Sequence, residues 1–421
     1  MKVKSLLLSM CAIAALAGCS QNDDEITGVS NAPEAKVILK LAGTGDQATS
    51  RAAGIPGGLD AKNGTVSDLT VFIFNNAGTV ITKQYLGSPA TGANPISTTT
   101  DAHEVAVVAN TGDQTGSGKL FATVASKDAL KAVVANMLTA PDNVAGGVTQ
   151  TDGNLYMSGL ETLGAFTDDG NGGQKVDVTV PLHFLSARLS LTEISYNGKV
   201  TGTTDNVYAQ AGDFATDQNA DFTITRVYLM NVQRATCFLP GTDGGSDYIA
   251  AGLKQFTGGV AWGTPWDGQA PNGFKPNNEY AIEAAADKFQ ATSNKISDIG
   301  HWYTFANTGV SDIADHPTAL VVEVQWRKVK ANPTANPAVA EELQTLYFTT
   351  YFGGGDQAEL KAGEAYSVKL ELNGNFKPTN QGGSGGGGTT DPTKPTVNSS
   401  VNVTVTPASW TLIPEITKKW E

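Results

Sequence analysis

Charge is scarce in this chain. Asp, Glu, Lys and Arg make up 16% of its 421 residues, and 41 acidic side chains outweigh 28 basic ones for a formal charge of −13. A phosphate backbone demands a basic face and none is visible, so nucleic acid is excluded as a partner. Cysteine is scarcer still, with only Cys11, Cys19 and Cys237. The first two fall in an N-terminal segment set apart below, so Cys237 has no intrachain partner and the fold must hold without disulfides. Its context, "VQRATCF", points to a packed thiol on a buried strand. The apolar run "SLLLSMCAIAALA" is too short for a permanent bilayer helix. His103, His183, His301 and His316 are scattered, with no HExxH and no close pair. No GxSxG nucleophile elbow occurs. "GDQTGSGKL" (112–120) misses phosphate-loop spacing by one residue and carries Leu120 where a hydroxyl would hold magnesium; it is expected to be a turn. "TDDGNGG" (167–173) lacks the alternating carboxylates and terminal Glu of a calcium loop, which leaves a glycine-rich hairpin. No catalytic residue, cofactor or metal ligand is indicated.

What is present begins with an export signature. "MKVK" is a basic n-region, the apolar run follows, and Leu16-Ala17-Gly18-Cys19 resembles a bacterial lipobox. Residues 1–18 are expected to be a lipoprotein signal peptide, with Cys19 acylated and made the new N-terminus.

Downstream, short alternating segments are separated by Gly, Asn and Asp turns. In "EAKVILKLAG", Val37, Leu39 and Leu41 share one apolar face. "VSDLTVFIFN" (66–75) puts Leu69, Val71 and Ile73 on one side, and "HEVAVVAN" (103–110) is an apolar run of the buried type. "SKDALKAVVANML" (126–138) reads as a helix capped by Ser126, with Leu130, Val133, Val134 and Met137 on one stripe. A second series runs from "ARLSLTEISY" to "AYSVKLELNG", where Tyr366, Val368, Leu370 and Leu372 keep a strict period of two. No repeat of fixed period is apparent, which argues against solenoids and propellers. The fold class is all-β, mainly two β-sandwich domains with one short helix. Their expected bounds are 52–184 and 185–374.

Residues 375–397, rich in Gly and Pro, form a linker. Taken as about 20 flexible residues, its r.m.s. span is roughly 25 Å and its full reach about 65–70 Å. The tail 398–421 resembles an edge strand. Val401, Val403 and Val405 share a face, and after Pro407 the apolar positions shift to Trp410, Leu412 and Ile416, implying a kink or bulge. Its first half copies the pattern of Val37, Leu39 and Leu41.

Arg51 links the two ends. Of five arginines, Arg188, Arg226, Arg234 and Arg327 lie in strand-like runs, where backbone is protected. Arg51 alone sits among Ala, Thr, Ser and Gly, where a protease can draw the chain into its cleft. Cutting between Arg51 and Ala52 would release residues 19–51 with the strand of Val37, Leu39 and Leu41. A sandwich that loses an integral strand exposes an apolar groove and unpaired backbone, which a tethered tail could repair by β-strand addition.

The lipobox Cys19, the acidic "SQNDDE" after it, Arg51, the two β domains, "NLYMSG", "PLHFLSARLSLT" and the tail "VNVTVTPASWTLI" together resemble the type V fimbrial subunits (fimbrillins) of the Bacteroidetes. The resemblance covers most of the chain and is strong at the ends. It implies transthyretin-like Greek-key sandwiches and removal of the N-terminal strand by an arginine-specific, trypsin-like protease. It also implies donation of the C-terminal segment (Val401, Val403, Val405, Trp410, Leu412, Ile416) to the next copy. The expected product is a homopolymeric, adhesive fimbrium on the cell surface. Its partners are other copies, anchor and tip pilins, host receptors and, for the palmitate-bearing precursor, outer-membrane lipid. The Gly-rich linker departs from the family in detail and leaves open whether the tail folds back on its own body. The alternative is a monomeric surface lipoprotein that binds a glycan or host protein, with the aromatics of "HWYTFAN" and "AWGTPWDG" as a sugar platform, or an anchor or tip pilin. In that case the tail is an ordinary edge strand.

Overall fold

The computed structural model describes residues 31–42, 65–90, 92–136, 150, 154–196, 206–207, 222–233, 235–241, 248, 256–257, 281–283, 295–310, 315–330, 342–353, 359–372 and 411–420. Its first half contains β1 (Glu34–Ala42), β2 (Leu69–Asn75), β3 (Val80–Leu86), β4 (Asn94–Thr99) and β5 (Ala102–Ala109). There follow α1 (Lys127–Lys131), β6 (Val134–Asn136), β7 (Met157–Thr162), β8 (Thr167–Asp168), β9 (Gln174–Pro181) and β10 (His183–Phe184). The second half opens with β11 (Ser186–Tyr196), β12 (Asn206–Val207), β13 (Phe222–Met230), β14 (Val232–Gln233), β15 (Ala235–Cys237) and β16 (Phe256–Thr257). It closes with β17 (Ala281–Glu283), β18 (Lys295–Phe305), β19 (Thr318–Lys330), β20 (Glu342–Phe352), β21 (Glu364–Leu372) and β22 (Thr411–Trp420). The class is all-β, as the alternating segments imply.

Two sheets, ordered β4-β1-β9-β8 and β10-β7-β5-β2-β3, face each other in the first half. Between them lies a core of Val37, Leu39, Ile96, Val176, Val178 and Val180 from one sheet and Leu69, Val71, Ile73, Val105 and Val107 from the other. Strand alternation sends these positions to one face, and their burial drives the sheets together. The second half repeats the plan. One sheet runs β18-β11-β21-β22; in the other, β13 and β19 pair at the centre, flanked by β17, β12 and β20. Its two sheets meet where the Phe352 ring packs edge-on against Tyr366, with centroids 6.4 Å apart.

The strand order of one sheet recurs in each half, β4-β1-β9-β8 in the first and β18-β11-β21-β22 in the second. β1 lies between antiparallel β4 and parallel β9, just as β11 lies between antiparallel β18 and parallel β21. β22 takes the place beside β21 that β8 takes beside β9, although β22 runs parallel to its neighbour and β8 antiparallel. The likeness is one of strand order in this sheet, which leaves no mark as a repeat in the residues.

Two findings depart from sequence expectations. The helix expected over 126–138 spans only Lys127–Lys131, although Ser126 does cap it, accepting a hydrogen bond from the Ala129 amide at 3.1 Å. Val134–Asn136 instead forms β6, an antiparallel ladder with Ala235–Cys237 of β15. Two β-branched residues, Val133 and Val134, weaken the helix, and a partner strand about a hundred residues away takes the chain over. Met137 lies outside the described residues.

The second departure is that β2 is buried on both faces. Phe72 and Phe74, opposite in sense to Leu69, Val71 and Ile73, enter a second cluster with Phe121, Tyr156, Phe238, Leu239 and Phe305. Phe121 meets Phe72 edge-on at 5.4 Å and Phe238 edge-on at 5.1 Å. Residues of the two halves therefore share one aromatic core.

Candidate functional site

Among the described residues no constellation for catalysis emerges. His103 and His183 are exposed strand residues, the His301 ring packs edge-on to Tyr303 at 5.4 Å, and His316 stacks on Phe256 at 5.5 Å. Among the described residues no group of His, Cys, Asp and Glu could hold a metal ion. The 167–173 segment is a hairpin closed by its own aspartates. Asp169 Oδ1 accepts from the amides of Asn171 and Gly173 at 2.8 and 2.9 Å, which holds this carboxyl below the usual range. Cys237 is a buried cysteine outside any disulfide, at the end of β15. Trp302 and Tyr303 of "HWYTFAN" are buried, so they offer no exposed sugar platform; "AWGTPWDG" lies outside the described residues.

The feature with functional geometry is the place of β1. Apolar residues at alternate positions favour a strand, and here both edges of that strand are used. Glu34–Leu39 pairs antiparallel with Thr99–Asn94 of β4. Ala35–Ala42 pairs parallel with Gln174–Pro181 of β9. Val37 sits between Ile96 and Val176, and Leu39 lies opposite Val178. Val37 and Leu39 are fully buried, and Leu41 is partly buried against the same cluster. Burial of two such side chains contributes about 1.5–3 kcal/mol each. On the outer face Lys36 and Lys40 are exposed. The Lys40–Asp177 ion pair at 3.1 Å is open to solvent and adds little.

The walls of this slot are Ile96, Val176, Val178 and Val180 from its own sheet and the opposing sheet beneath. Sequence reading missed these as site residues, although the alternation in "KVDVTVPL" carries the signal. Pro95, opposite Ile38, has no amide hydrogen to offer and suits β4 as an edge strand. Without β1, β9 and β4 have no bridge between them and the core lies open along one side.

Of the remaining predicted positions, Cys19, Arg51, Ala52, Val401, Val403, Val405 and Trp410 lie outside the described residues. Leu412 and Ile416 lie in β22, paired with Ala365 and Val368 of β21. The structure thus unites Val37, Leu39 and Leu41 in the slot and places Leu412 and Ile416 on another sheet, at the edge of the same chain.

Residues 35–219 match the family model of the major fimbrial subunit protein FimA, and residues 260–410 match that of the C-terminal domain of FimA-like major fimbrial subunit proteins. No curated protein sequence matches. Among solved structures, the chain is similar to a candidate cell adhesion protein from Bacteroides eggerthii DSM 20697, at 24% identity over 94% of this chain and 100% of that one, with a TM-score of 0.57. It is also similar to a candidate cell adhesion protein from Parabacteroides distasonis ATCC 8503, at 12% identity, 93% and 99% coverage and a TM-score of 0.55. A fimbrilin from Porphyromonas gingivalis W83 follows, at 14% identity, 93% and 98% coverage and a TM-score of 0.50. At these identities the structures speak for the fold, and the family rests on the two sequence models that together span most of the chain. The chain belongs to the FimA-like family of major fimbrial subunit proteins, structural components of cell-surface fimbriae rather than enzymes.

Proposed function

We propose that this protein is a pilin that polymerises by protease-triggered donor-strand exchange and supports adhesion. The precursor is exported behind residues 1–18, acylated at Cys19 and held at the outer membrane. A trypsin-like protease cuts between Arg51 and Ala52, the segment 19–51 leaves with β1, and a body of two sandwiches (52–184 and 185–374) remains. Residues 398–421 of another copy, on the linker 375–397, then fill the vacated slot through Val401, Val403, Val405, Trp410, Leu412 and Ile416. Anchor and tip pilins would join by the same joint, and host receptors by exposed surface of the assembled fibre.

One observation carries this reading. β1 is an internal strand, bonded on both edges and buried through Val37 and Leu39, yet Arg51 lies in the connection between it and β2. An internal strand behind a cleavable connection is a removable part of a core. Inserting a replacement would cost the ordering of the tail and regain burial and two ladders. The N-terminal residue of material sheared from cells tests it. Ala52 at the head of a high-mass ladder is expected, and a retained acylated Cys19 on a monomeric band overturns it.

A second reading, the monomeric surface lipoprotein, is favoured by the position of β22 along β21 of its own chain. An unpolymerised pilin holding its own tail would have the same pairing, and the same N-terminal determination separates the two.

A further inference from the structure

One row of residues crosses the sheet β18-β11-β21-β22: Tyr303 lies opposite Arg188, Arg188 opposite Ala365, and Ala365 opposite Leu412 of the tail strand. Tyr303 and Ala365, although they belong to the second half, are buried in the cluster that holds Val37 and Leu39 of β1. The row therefore runs from the core around β1 to the first rungs of β22.

Arg188 makes this row uneasy. It is 3% exposed, its Nη1 donates to Ser190 Oγ at 2.9 Å, and its Nε has no partner among the described residues. No carboxylate among the described residues forms an ion pair with it. A guanidinium without a counter-charge is expensive to bury and gains from any opening that admits water.

The β21–β22 ladder is built in two parts. Thr411–Ile413 pairs with Glu364–Tyr366, Ile416–Trp420 pairs with Val368–Leu372, and the register shifts between them. Pro414, which has no amide hydrogen, falls at that shift. Only the first part rests on Ala365.

We propose that the row couples the two ends of the chain: a filled β1 slot holds the first part of β22 in place, and an emptied slot releases it. Loss of β1 opens the cluster in which Tyr303 and Ala365 are buried, water gains a way to Arg188, and hydration of the charge favours a loosened row. The rungs from Thr411 to Ile413 then fray first, and Ile416–Trp420, beyond Pro414, leaves only when the tail enters the slot of another copy. A subunit would thus withhold its tail until its own leading strand has gone. This rests on the strand-exchange reading above.

Hydrogen exchange on monomeric full-length protein, before and after cleavage with a trypsin-like protease, tests the coupling. With residues 1–51 gone, the amides of Thr411, Leu412 and Ile413 should exchange about tenfold faster or more, and those of Ile416–Trp420 at an unchanged rate. Equal protection of Thr411–Ile413 in both forms overturns the proposal. Arg188→Met, which keeps the bulk and removes the charge, should abolish most of the difference; a difference that persists undiminished overturns the role of Arg188. If residues 1–51 stay bound after cleavage, strand release itself has failed. The coupling is then judged on uncleaved Leu39→Asp, whose charge expels β1: faster exchange at Thr411–Ile413 supports it, and unchanged exchange defeats it.

Discussion

Leu39 of β1 and Val178 of β9 are register partners in a parallel ladder, and both are buried in the core between the first two sheets. This contact exists only while β1 is present, so under the proposed processing its energy would belong to the precursor. Leu39→Ala should lower the precursor's stability by about 2–5 kcal/mol, read from denaturant midpoints. On the proposed strand exchange, fimbriae assembled from processed subunits should keep their heat and detergent resistance, because residue 39 would have left. Fimbriae weakened as much as the precursor would sink the idea that β1 is discarded.

Gly159 of β7 sets how closely its sheet approaches β9. A Cβ there would lie 2.2 Å from the Pro181 carbonyl oxygen and 2.6 Å from Val180 Cγ1. Backbone cannot give way as a flexible side chain can, and Pro181 closes the ladder opposite Ala42. Gly159→Ala is therefore expected to cost about 1–3 kcal/mol and to distort the slot at its Ala42 end. Gly116→Ala, which would meet only Lys119 side-chain carbons at 3.8 Å, is the neutral control. Thermal unfolding of the two variants should separate them clearly.

Alkaline pH should expose a different weakness. Burial is the main cause pushing the Tyr228 and Tyr366 phenols above their ordinary value of 10.0; for Tyr366 the neighbouring Glu364 carboxylate adds to it. The Tyr366 hydroxyl accepts from the Lys361 amide at 2.9 Å and has the Glu359 carbonyl and Glu364 carboxylate at 2.5 Å to share its proton. The unfolded chain gives up these protons near pH 10, while the folded chain keeps them. Stability from this source is whole below pH 10 and falls as pH rises beyond it. Ultraviolet titration should show ordinary tyrosines ionising first and these two only as the protein unfolds. Tyr366→Phe should cost about 1–3 kcal/mol at neutral pH and flatten the alkaline decline.

Much of this architecture was legible because it is written in local alternation. Val37 and Leu39, and Tyr366, Val368 and Leu370, have a period of two and are buried as that period implies. "VQRATCF" pointed to a buried strand thiol, and Cys237 is one. Local pattern failed where distant chain decides. Val134 fits a helical stripe until β15 offers a ladder, and Phe72 and Phe74 look like the outer face of β2 until Phe121 and Phe238 cover them. The slot followed the same rule. The residues of β1 were readable, but its position between β4 and β9 depends on pairings that no window of sequence contains. The approach of Tyr303 and Ala365 to the β1 core was likewise invisible, because it joins strands from opposite halves.

The shared aromatic core leads to a prediction about cooperativity. Phe238 is fully buried, meets Phe121 edge-on at 5.1 Å and lies 5.8 Å from Tyr156. It follows directly on the β15–β6 ladder, so packing and backbone pairing bind the two halves at one place. Such a joint makes the sandwiches unfold together, since opening one strips cover from the other. Phe238→Ala should cost about 3–5 kcal/mol and, by weakening the joint, split a single calorimetric transition into two. Two transitions already present in the unsubstituted protein would show that the halves are independent. A single transition that merely shifts would show that the β15–β6 ladder and the rings around Phe121 hold the halves together without Phe238.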